Sequence, residues 1–148
     1  MKNSMAGEVN AFIDTWGWVS LLSKREAKHS RVDNSYRLLR ASDGLLYTTD
    51  DVLNETFTLL FRRLAIQQAL YAIERTEEAV KSAYLTLEWI DETRFEKAKA
   101  LRRKFLDKPH ISFTDLTTMV VMSELKILDV LTEDDHFVQV GLGFRKVP

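Results

Sequence analysis

The pattern of apolar and polar residues is clearest in residues 111–137, which predict a loop, a helix, a strand and a second loop. Ser112, Thr114 and Asp115 are residue types that favour the start of a helix. The apolar residues that follow recur at helical spacing and predict one buried helix face: Met119, Val120, Met122 and Leu125. Residues 128–131 are an apolar run too short for a helix, which predicts a buried strand.

The same reasoning predicts strands and helices in alternation along the rest of the chain. The other predicted strands are residues 9–13, 45–48, 84–90 and 144–147. The other predicted helices are residues 16–22, 32–41, 52–64 and 66–81. One more helix is predicted between Asp91, which caps its start, and residues 107–109, which end it. It carries Phe95, Ala98, Leu101 and Phe105 on one side. This alternation indicates an α/β fold with a mainly parallel sheet of four to five strands.

Composition narrows the class of protein. A chain of 148 residues is expected to form one domain, with residues 1–8 as a flexible lead-in. No apolar run is long enough to cross a bilayer, so no membrane association is expected. Cysteine is absent, which excludes disulfides and thiolate zinc sites and favours a cytoplasmic setting. The net charge of −1 gives no overall attraction to nucleic acid, so any such binding needs a local basic patch.

Four carboxylates are expected at one edge of the sheet. Asp14 ends the first predicted strand, Asp134 follows the fourth, Asp115 begins a helix and Glu55 lies one turn into another. The carboxyl ends of parallel strands form the ligand-binding edge of such folds. Clustered carboxylates repel one another, and a divalent cation offsets that repulsion. Each acid alone is explained as a cap or turn residue, so spacing leaves a metal site and a structural role both open.

Several motifs resemble those of PIN-domain ribonucleases. In that family an S/T-x-T-D loop opens a helix and T-x-D-x-H-F follows the next strand, as in ISFTDLTTMVVMSELKILDVLTEDDHF here. The segments AFIDTWGWVSLL, VLNETFTLLFRR and GFRKVP are similar to the family's first strand, its N/D-E-T helix and its last strand. The resemblance covers residues 12–148 in the family's order, and it points to VapC-like toxins of toxin–antitoxin pairs. It implies a PIN-like three-layer α/β sandwich with helices on both faces of the sheet.

The resemblance also implies a site and an activity. By this resemblance, the acids that bind Mg²⁺ or Mn²⁺ and carry out catalysis are Asp14, Glu55, Asp115 and Asp134. The activity that the resemblance implies is endonucleolytic hydrolysis of RNA. Hydroxyl groups expected beside these acids are those of Thr15, Thr114 and Thr132. Trp16 departs from the small hydroxyl residue that many members carry, which puts one supporting contact in doubt. Glu133 and Asp135 flank Asp134 and are alternatives to it, although Asp134 is the residue that matches the motif.

Other residues are candidates for RNA or protein contacts. Lys24, Arg25, Lys28 and Arg31 follow Asp14 closely and are the first choice for a phosphate-binding patch. Trp16 and Trp18 are expected to be buried or to form a dimer contact, with base stacking as the alternative. His136 is expected to orient the loop after the strand. The apolar helices 52–64 and 66–80 suit an antitoxin helix or a second subunit, and the resemblance implies both a small antitoxin and a homodimer.

Two other functions fit the same sequence. The first is a PIN-fold protein that binds RNA or assembles with partners without catalysis. The second is a phosphoryl-accepting receiver or phosphatase, which uses an aspartate nucleophile with a lysine near a strand end. We expect Lys126 and Lys146 to lie away from the acidic edge, which argues against this second alternative.

Overall fold

The computed structural model describes residues 10–148, which form five strands and seven helices. The predicted lead-in, residues 1–8, and Val9 of the first predicted strand lie outside the described residues. The strands are β1 (Ala11–Ile13), β2 (Leu46–Thr49), β3 (Leu85–Glu88), β4 (Asp129–Leu131) and β5 (Arg145–Val147). The helices are α1 (Thr15–Leu22), α2 (His29–Ala41), α3 (Asp50–Arg63), α4 (Ile66–Lys81), α5 (Glu92–Lys104), α6 (Phe113–Leu125) and α7 (His136–Gln139).

The five strands form one parallel sheet in the order β3-β2-β1-β4-β5. The predicted α/β class with a parallel central sheet is confirmed. The chain builds outward from β1 to β3 on one side and then returns to place β4 on the other side of β1. In such a sheet the connections leave β1 and β4 in opposite directions, which opens a crevice outside their carboxyl ends.

The core is built on β1 and α6. Phe12 and Ile13 of β1 are fully buried, and α6 is buried along residues 116–122. The interpretation of residues 111–137 as a central helix and strand is therefore confirmed. Two details of the predicted apolar faces are wrong, because Leu125 is 36% exposed and Phe95 is 46% exposed. The Phe95 ring packs instead against the ring of Phe113, with the centroids 6.2 Å apart.

Helix starts follow the local sequence closely. The side chains of Asp91 and Ser112 accept hydrogen bonds from the backbone N–H groups of Arg94 and Asp115, as predicted. Before α3 the cap is Thr49, whose hydroxyl oxygen accepts from the N–H of Val52. These caps use partners three residues away, so the sequence alone is enough to predict them.

Some boundaries differ from the prediction. Helix α2 begins at His29 rather than residue 32. Helix α5 ends at Lys104, before the predicted stop at residues 107–109. The short helix α7 was not predicted. No helix in the described part of the chain is long and apolar enough to cross a membrane.

Candidate active site

Three of the four predicted acids lie at the crevice where β1 and β4 end. Asp14 follows β1 directly, and Thr132 and Asp134 follow β4. Asp115 lies in the first turn of α6. Because β1 and β4 are neighbours and parallel, these residues come from one edge of the sheet, as expected. Local sequence thus determines where each acid stands in its element, and the strand order brings the elements together.

Asp14 is held by two hydrogen bonds. Its Oδ1 accepts from the N–H of Gly17 at 2.9 Å, so Asp14 is the N-cap of α1. Its Oδ2 accepts a short hydrogen bond from the hydroxyl of Thr132. The side chain is buried, and burial raises the pKa of the Asp14 carboxyl to about 7, with a smaller contribution from Asp115 and Asp134. The hydrogen bonds from Thr132 and Gly17 act in the opposite direction on the same pKa.

A second group of ligand atoms comprises Asp115, Asp134 and His136. One atom from each lies within 4.8 Å of the others. The Nδ1 atom of His136 is 3.0 Å from Oδ1 of Asp134 and 3.4 Å from Oδ2 of Asp115. The N–H of His136 also donates to Oδ1 of Asp134 at 2.9 Å. His136 therefore orients both carboxylates, which is more than the role in the loop that we predicted, and its contact with Asp115 spans 21 residues.

The ionisation of Asp115 differs from a simple expectation. A helix N-terminus stabilises a carboxylate, and Asp115 lies in the first turn of α6. Burial, followed by the charge of Asp134, nevertheless raises the pKa of Asp115 to about 6, while His136 acts to lower it. Desolvation and like charge therefore outweigh the helix terminus in this crevice.

The three predicted hydroxyl residues have different surroundings. Thr132 is buried. Its hydroxyl oxygen accepts a hydrogen bond from the N–H of Asp134 at 3.0 Å, and its hydroxyl group donates a hydrogen bond to Asp14. Thr114 and Thr15 are half-buried beside Asp115 and Asp14 in the chain. Among these hydroxyls, Thr132 is the one that joins two of the acids.

The fourth predicted acid lies apart from this hydrogen-bonded group. Glu55 is exposed on α3, and within residues 10–148 it has no hydrogen bond or ion pair. Asp51, one turn earlier on the same face of α3, accepts from the hydroxyl of Thr117 on α6 at 2.9 Å. This contact brings the first turn of α3 to α6, two residues beyond Asp115.

Basic residues border the acids on the side of β4 and β5. A pocket of about 240 Å³ lies next to Thr132, and we call it the cationic pocket; its lining is Trp16, Lys28, Arg31, Thr132, Glu133, Lys146 and Pro148. Lys28 and Arg31 of the predicted phosphate patch line it. Lys24 and Arg25 are exposed in the turn between α1 and α2, and they are not part of this lining.

The expectation for Lys146 is wrong. Its Nζ lies 2.8 Å from Oδ1 of Asp135, so it stands at the acidic edge rather than away from it. The parallel pairing of β5 with β4 produces this position, because it places Lys146 beside the strand that leads to Asp134. The position of β5 in the sheet could not be read from the sequence.

Glu133 and Asp135 are engaged elsewhere. Glu133 forms a close ion pair with Lys28, and Asp135 pairs with Lys146, which holds the pKa of the Asp135 carboxyl below its usual range. Both side chains are exposed, whereas Asp134 contacts His136. The geometry therefore favours Asp134 over its two neighbours as the site acid.

The two tryptophans have different surroundings. Trp18 is buried and donates its indole N–H to the hydroxyl oxygen of Thr48 at 3.1 Å, so burial was the correct expectation. Trp16 is half-buried, packs against the core and also lines the cationic pocket.

The donor set fits a divalent cation with a preference for oxygen ligands. The charges of Asp115 and Asp134 help to raise the pKa of Asp14, the charge of Asp134 helps to raise the pKa of Asp115, and burial disfavours the carboxylate form of both Asp14 and Asp115. A cation would offset both effects, and carboxylate oxygens suit Mg²⁺ and Mn²⁺.

Comparison with known proteins agrees with the fold. A family model described as PIN domain matches residues 11–142. The "23S rRNA-specific endonuclease VapC20" of Mycobacterium tuberculosis, from strains CDC 1551 / Oshkosh and ATCC 25618 / H37Rv, is 30% identical over 131 residues, which cover 88% of this chain and 93% of the relative.

The crystal structure of Mycobacterium tuberculosis VapC20, described as a sarcin-ricin loop cleaving toxin, superposes with a TM-score of 0.73. The match has 26% identity and covers 88% of this chain and 95% of that one. The predicted resemblance to PIN-domain ribonucleases and VapC-like toxins is confirmed, and it removes the receiver or phosphatase alternative. The chain belongs to the PIN domain family.

Proposed function

We propose that this protein is an endoribonuclease that hydrolyses RNA phosphodiester bonds with a divalent metal ion, as the toxin of a toxin–antitoxin pair. The observation that carries the proposal is the grouping of Asp115, Asp134 and His136 within 4.8 Å, beside the buried Asp14. Membership of the PIN domain family supports it, as does the similarity to a relative named as an rRNA-specific endonuclease.

In this proposal the acids hold the metal ion. Asp14, Asp115 and Asp134 supply carboxylate oxygens, and Glu55 supplies a fourth carboxylate from the first turns of α3. Either Mg²⁺ or Mn²⁺ is expected to bind, since both accept oxygen ligands with water and phosphate. When bound, such an ion lowers the pKa of a coordinated water and offsets charge on the phosphodiester.

The other residues of the site position these acids. Thr132 fixes one oxygen of Asp14 and the backbone of Asp134, so that the two carboxylates keep a set separation. Thr15 and Thr114 are proposed to support Asp14 and Asp115 in the same way. His136 orients Asp134 through Nδ1 and its backbone N–H. This role resembles that of the outer contacts that orient metal ligands in other proteins.

The partners follow from the same proposal. The name of the relative makes 23S rRNA the first substrate to test, and its toxin class implies a small antitoxin. A homodimer or an antitoxin contact is supported by large apolar side chains exposed on α3 and α4: Phe61, Ile66, Leu70 and Tyr71. We propose that the 148 residues form one PIN domain and that the protein acts in the cytoplasm.

The test is cleavage of ribosomes and of total cellular RNA by the purified protein with Mn²⁺ or Mg²⁺. EDTA, Asp14→Asn and Asp115→Asn are the controls. We expect discrete fragments that require metal and are absent with both variants. A folded, partner-free protein that yields no fragments with either metal contradicts the proposal and favours a PIN-fold protein that binds RNA without cleaving it.

A further inference from the structure

The cationic pocket has the composition of an anion site. Three basic side chains, Lys28, Arg31 and Lys146, line it together with one acid, Glu133. Within residues 10–148, Arg31 has no carboxylate partner. The pocket also borders Thr132, which contacts both Asp14 and Asp134. An anion held there would lie next to the proposed site of hydrolysis.

Two of the three cations are neutralised by the residues on either side of Asp134. Lys28 pairs with Glu133, and Lys146 pairs with Asp135. The Lys28 ammonium also lies 5.8 Å from the centroid of the Trp16 ring, which keeps it at the pocket wall. Because Glu133 and Asp135 are exposed, their lysines can exchange them for a competing anion at little cost in desolvation.

We propose that the cationic pocket binds a phosphodiester of RNA next to the scissile one, and that Glu133 occupies Lys28 until the RNA phosphate replaces it. The inference rests on the proposed function for the identity of the ligand. The RNA backbone supplies the singly charged oxygens that Lys and Arg bind. Trp16 and Pro148 give the pocket an apolar side against which a ribose or base packs.

Removing a positive and a negative charge from the cationic pocket is expected to change RNA binding in opposite directions. Removing Lys28 or Arg31 weakens RNA binding, but removing the negative charge of Glu133 strengthens it, although Glu133 is adjacent to a catalytic acid. The gain from Glu133→Gln depends on Lys28, so it disappears when Lys28 is replaced as well. General repulsion between Glu133 and RNA would give the same gain with or without Lys28.

The experiment measures binding in EDTA, so that no RNA is cleaved. The probe is a short fluorescein-labelled single-stranded RNA of mixed sequence, titrated with the full chain at several salt concentrations and followed by fluorescence anisotropy. Lys28→Ala and Arg31→Ala are each expected to weaken binding about threefold or more and to reduce the salt slope by about 0.7. Glu133→Gln is expected to tighten binding by about threefold.

Lys99 provides a matched control on α5. It pairs with Glu96 and lies 5.4 Å from the centroid of the Phe95 ring, as Lys28 lies beside Glu133 and Trp16. Lys99→Ala and Glu96→Gln are therefore expected to bind the RNA as the wild type does. Thermal melts check folding, and Lys28→Ala removes no helix cap because the Lys28 side chain makes no capping hydrogen bond.

The outcomes separate this inference from the proposed function. Wild-type affinity and salt slope in Lys28→Ala and Arg31→Ala overturn the pocket, even if the protein cleaves RNA. An equal gain from Glu133→Gln in the presence and absence of Lys28 also overturns it. The expected binding pattern in a protein that cleaves no RNA with any metal supports the pocket and contradicts only the nuclease.

Discussion

Thr132 donates its hydroxyl hydrogen to Oδ2 of Asp14 across 118 residues of sequence. The hydroxyl oxygen of Thr132 also accepts a hydrogen bond from the N–H of Asp134 at 3.0 Å. One hydroxyl therefore connects the acid after β1 with the acid after β4. The other oxygen of Asp14 is used by the N–H of Gly17, so the carboxylate has little freedom to turn.

Replacing this hydroxyl tests its role in metal binding. Thr132→Val keeps the shape of the side chain but removes both hydrogen bonds, so Asp14 and Asp134 lose their common contact. Loss of such an outer contact typically costs about 10- to 100-fold in metal affinity, and we expect that loss for Mn²⁺ by isothermal titration calorimetry. Thr132→Ser keeps the hydroxyl and is expected to retain most of the affinity. Equal affinity in all three proteins would contradict the role of the hydroxyl.

The buried Asp14 carboxyl predicts an unusual dependence of stability on pH in the metal-free protein. Its pKa is about 7 in the folded state and 3.8 in the unfolded chain. The folded state therefore binds the proton more tightly, and the free energy of unfolding falls as the pH rises from about 4 to about 7. The shift corresponds to a loss on the order of 4 kcal/mol from this group.

Asp14→Asn tests this dependence by removing the titrating group. The amide oxygen of the asparagine still caps α1, and the side chain no longer titrates. The free energy of unfolding of the variant is therefore expected to fall less than that of the wild type between about pH 5 and about pH 7.5 in EDTA. It should melt at a higher temperature than the wild type at the upper pH while having no nuclease activity. Asp107→Asn, at an exposed acid beside Lys108, is the control and should keep the wild-type dependence. Identical slopes for the wild type and Asp14→Asn would be evidence against a raised pKa.

Much of this site follows from local sequence. The acids at strand ends and at a helix start could be located because caps and strand boundaries depend on neighbours a few residues away. Asp14 and Asp134 could be placed on one edge because every strand of an alternating α/β chain ends on the same side. The motif T-E-D-D-H-F gave Asp134 priority over Glu133 and Asp135, and the ion pairs of those two residues agree with it.

Other features depend on contacts that no local pattern contains. The position of Lys146 requires knowing that β5 pairs with β4, and a strand of three residues carries no signal for its neighbour. The contact of His136 with Asp115 requires the packing of α7 near the start of α6. The pKa of Asp115 depends on how much water the crevice excludes, which is a property of the folded chain. In each case the missing information is tertiary.

Glu55 gives a sharp test of the proposed fourth ligand. It is exposed and has no hydrogen bond or ion pair to any other described residue, so Glu55→Gln should change the free energy of unfolding by less than about 0.5 kcal/mol. If it holds the metal ion, the same change lowers Mn²⁺-dependent RNA cleavage by about 100-fold or more. Glu77→Gln, at an exposed glutamate on α4, is the matched control. Wild-type cleavage by Glu55→Gln would remove Glu55 from the site.

Gly17 is required by the close packing of α1 against the end of β4. A Cβ atom at this position would lie 2.5 Å from the carbonyl oxygen of Leu131 and 2.8 Å from Cγ1 of Ile13. Because one of these atoms belongs to the backbone, α1 must move away from β4 to accept Gly17→Ala. We expect the change to cost about 1–3 kcal/mol, which lowers the melting temperature by roughly 2–10 °C for a chain of this size.

The same movement would separate Asp14 from Thr132, so Gly17→Ala is also expected to weaken Mn²⁺ binding. Ser20→Ala is the control on α1, because the Ser20 hydroxyl is buried without a hydrogen-bond partner among residues 10–148. Removing that hydroxyl should leave stability equal or slightly higher, since no hydrogen bond is lost. Melting curves measure the stability of both variants, and calorimetric titrations measure their Mn²⁺ affinity. If Gly17→Ala melts and binds Mn²⁺ as the wild type does, the close packing of α1 against β4 does not position Asp14.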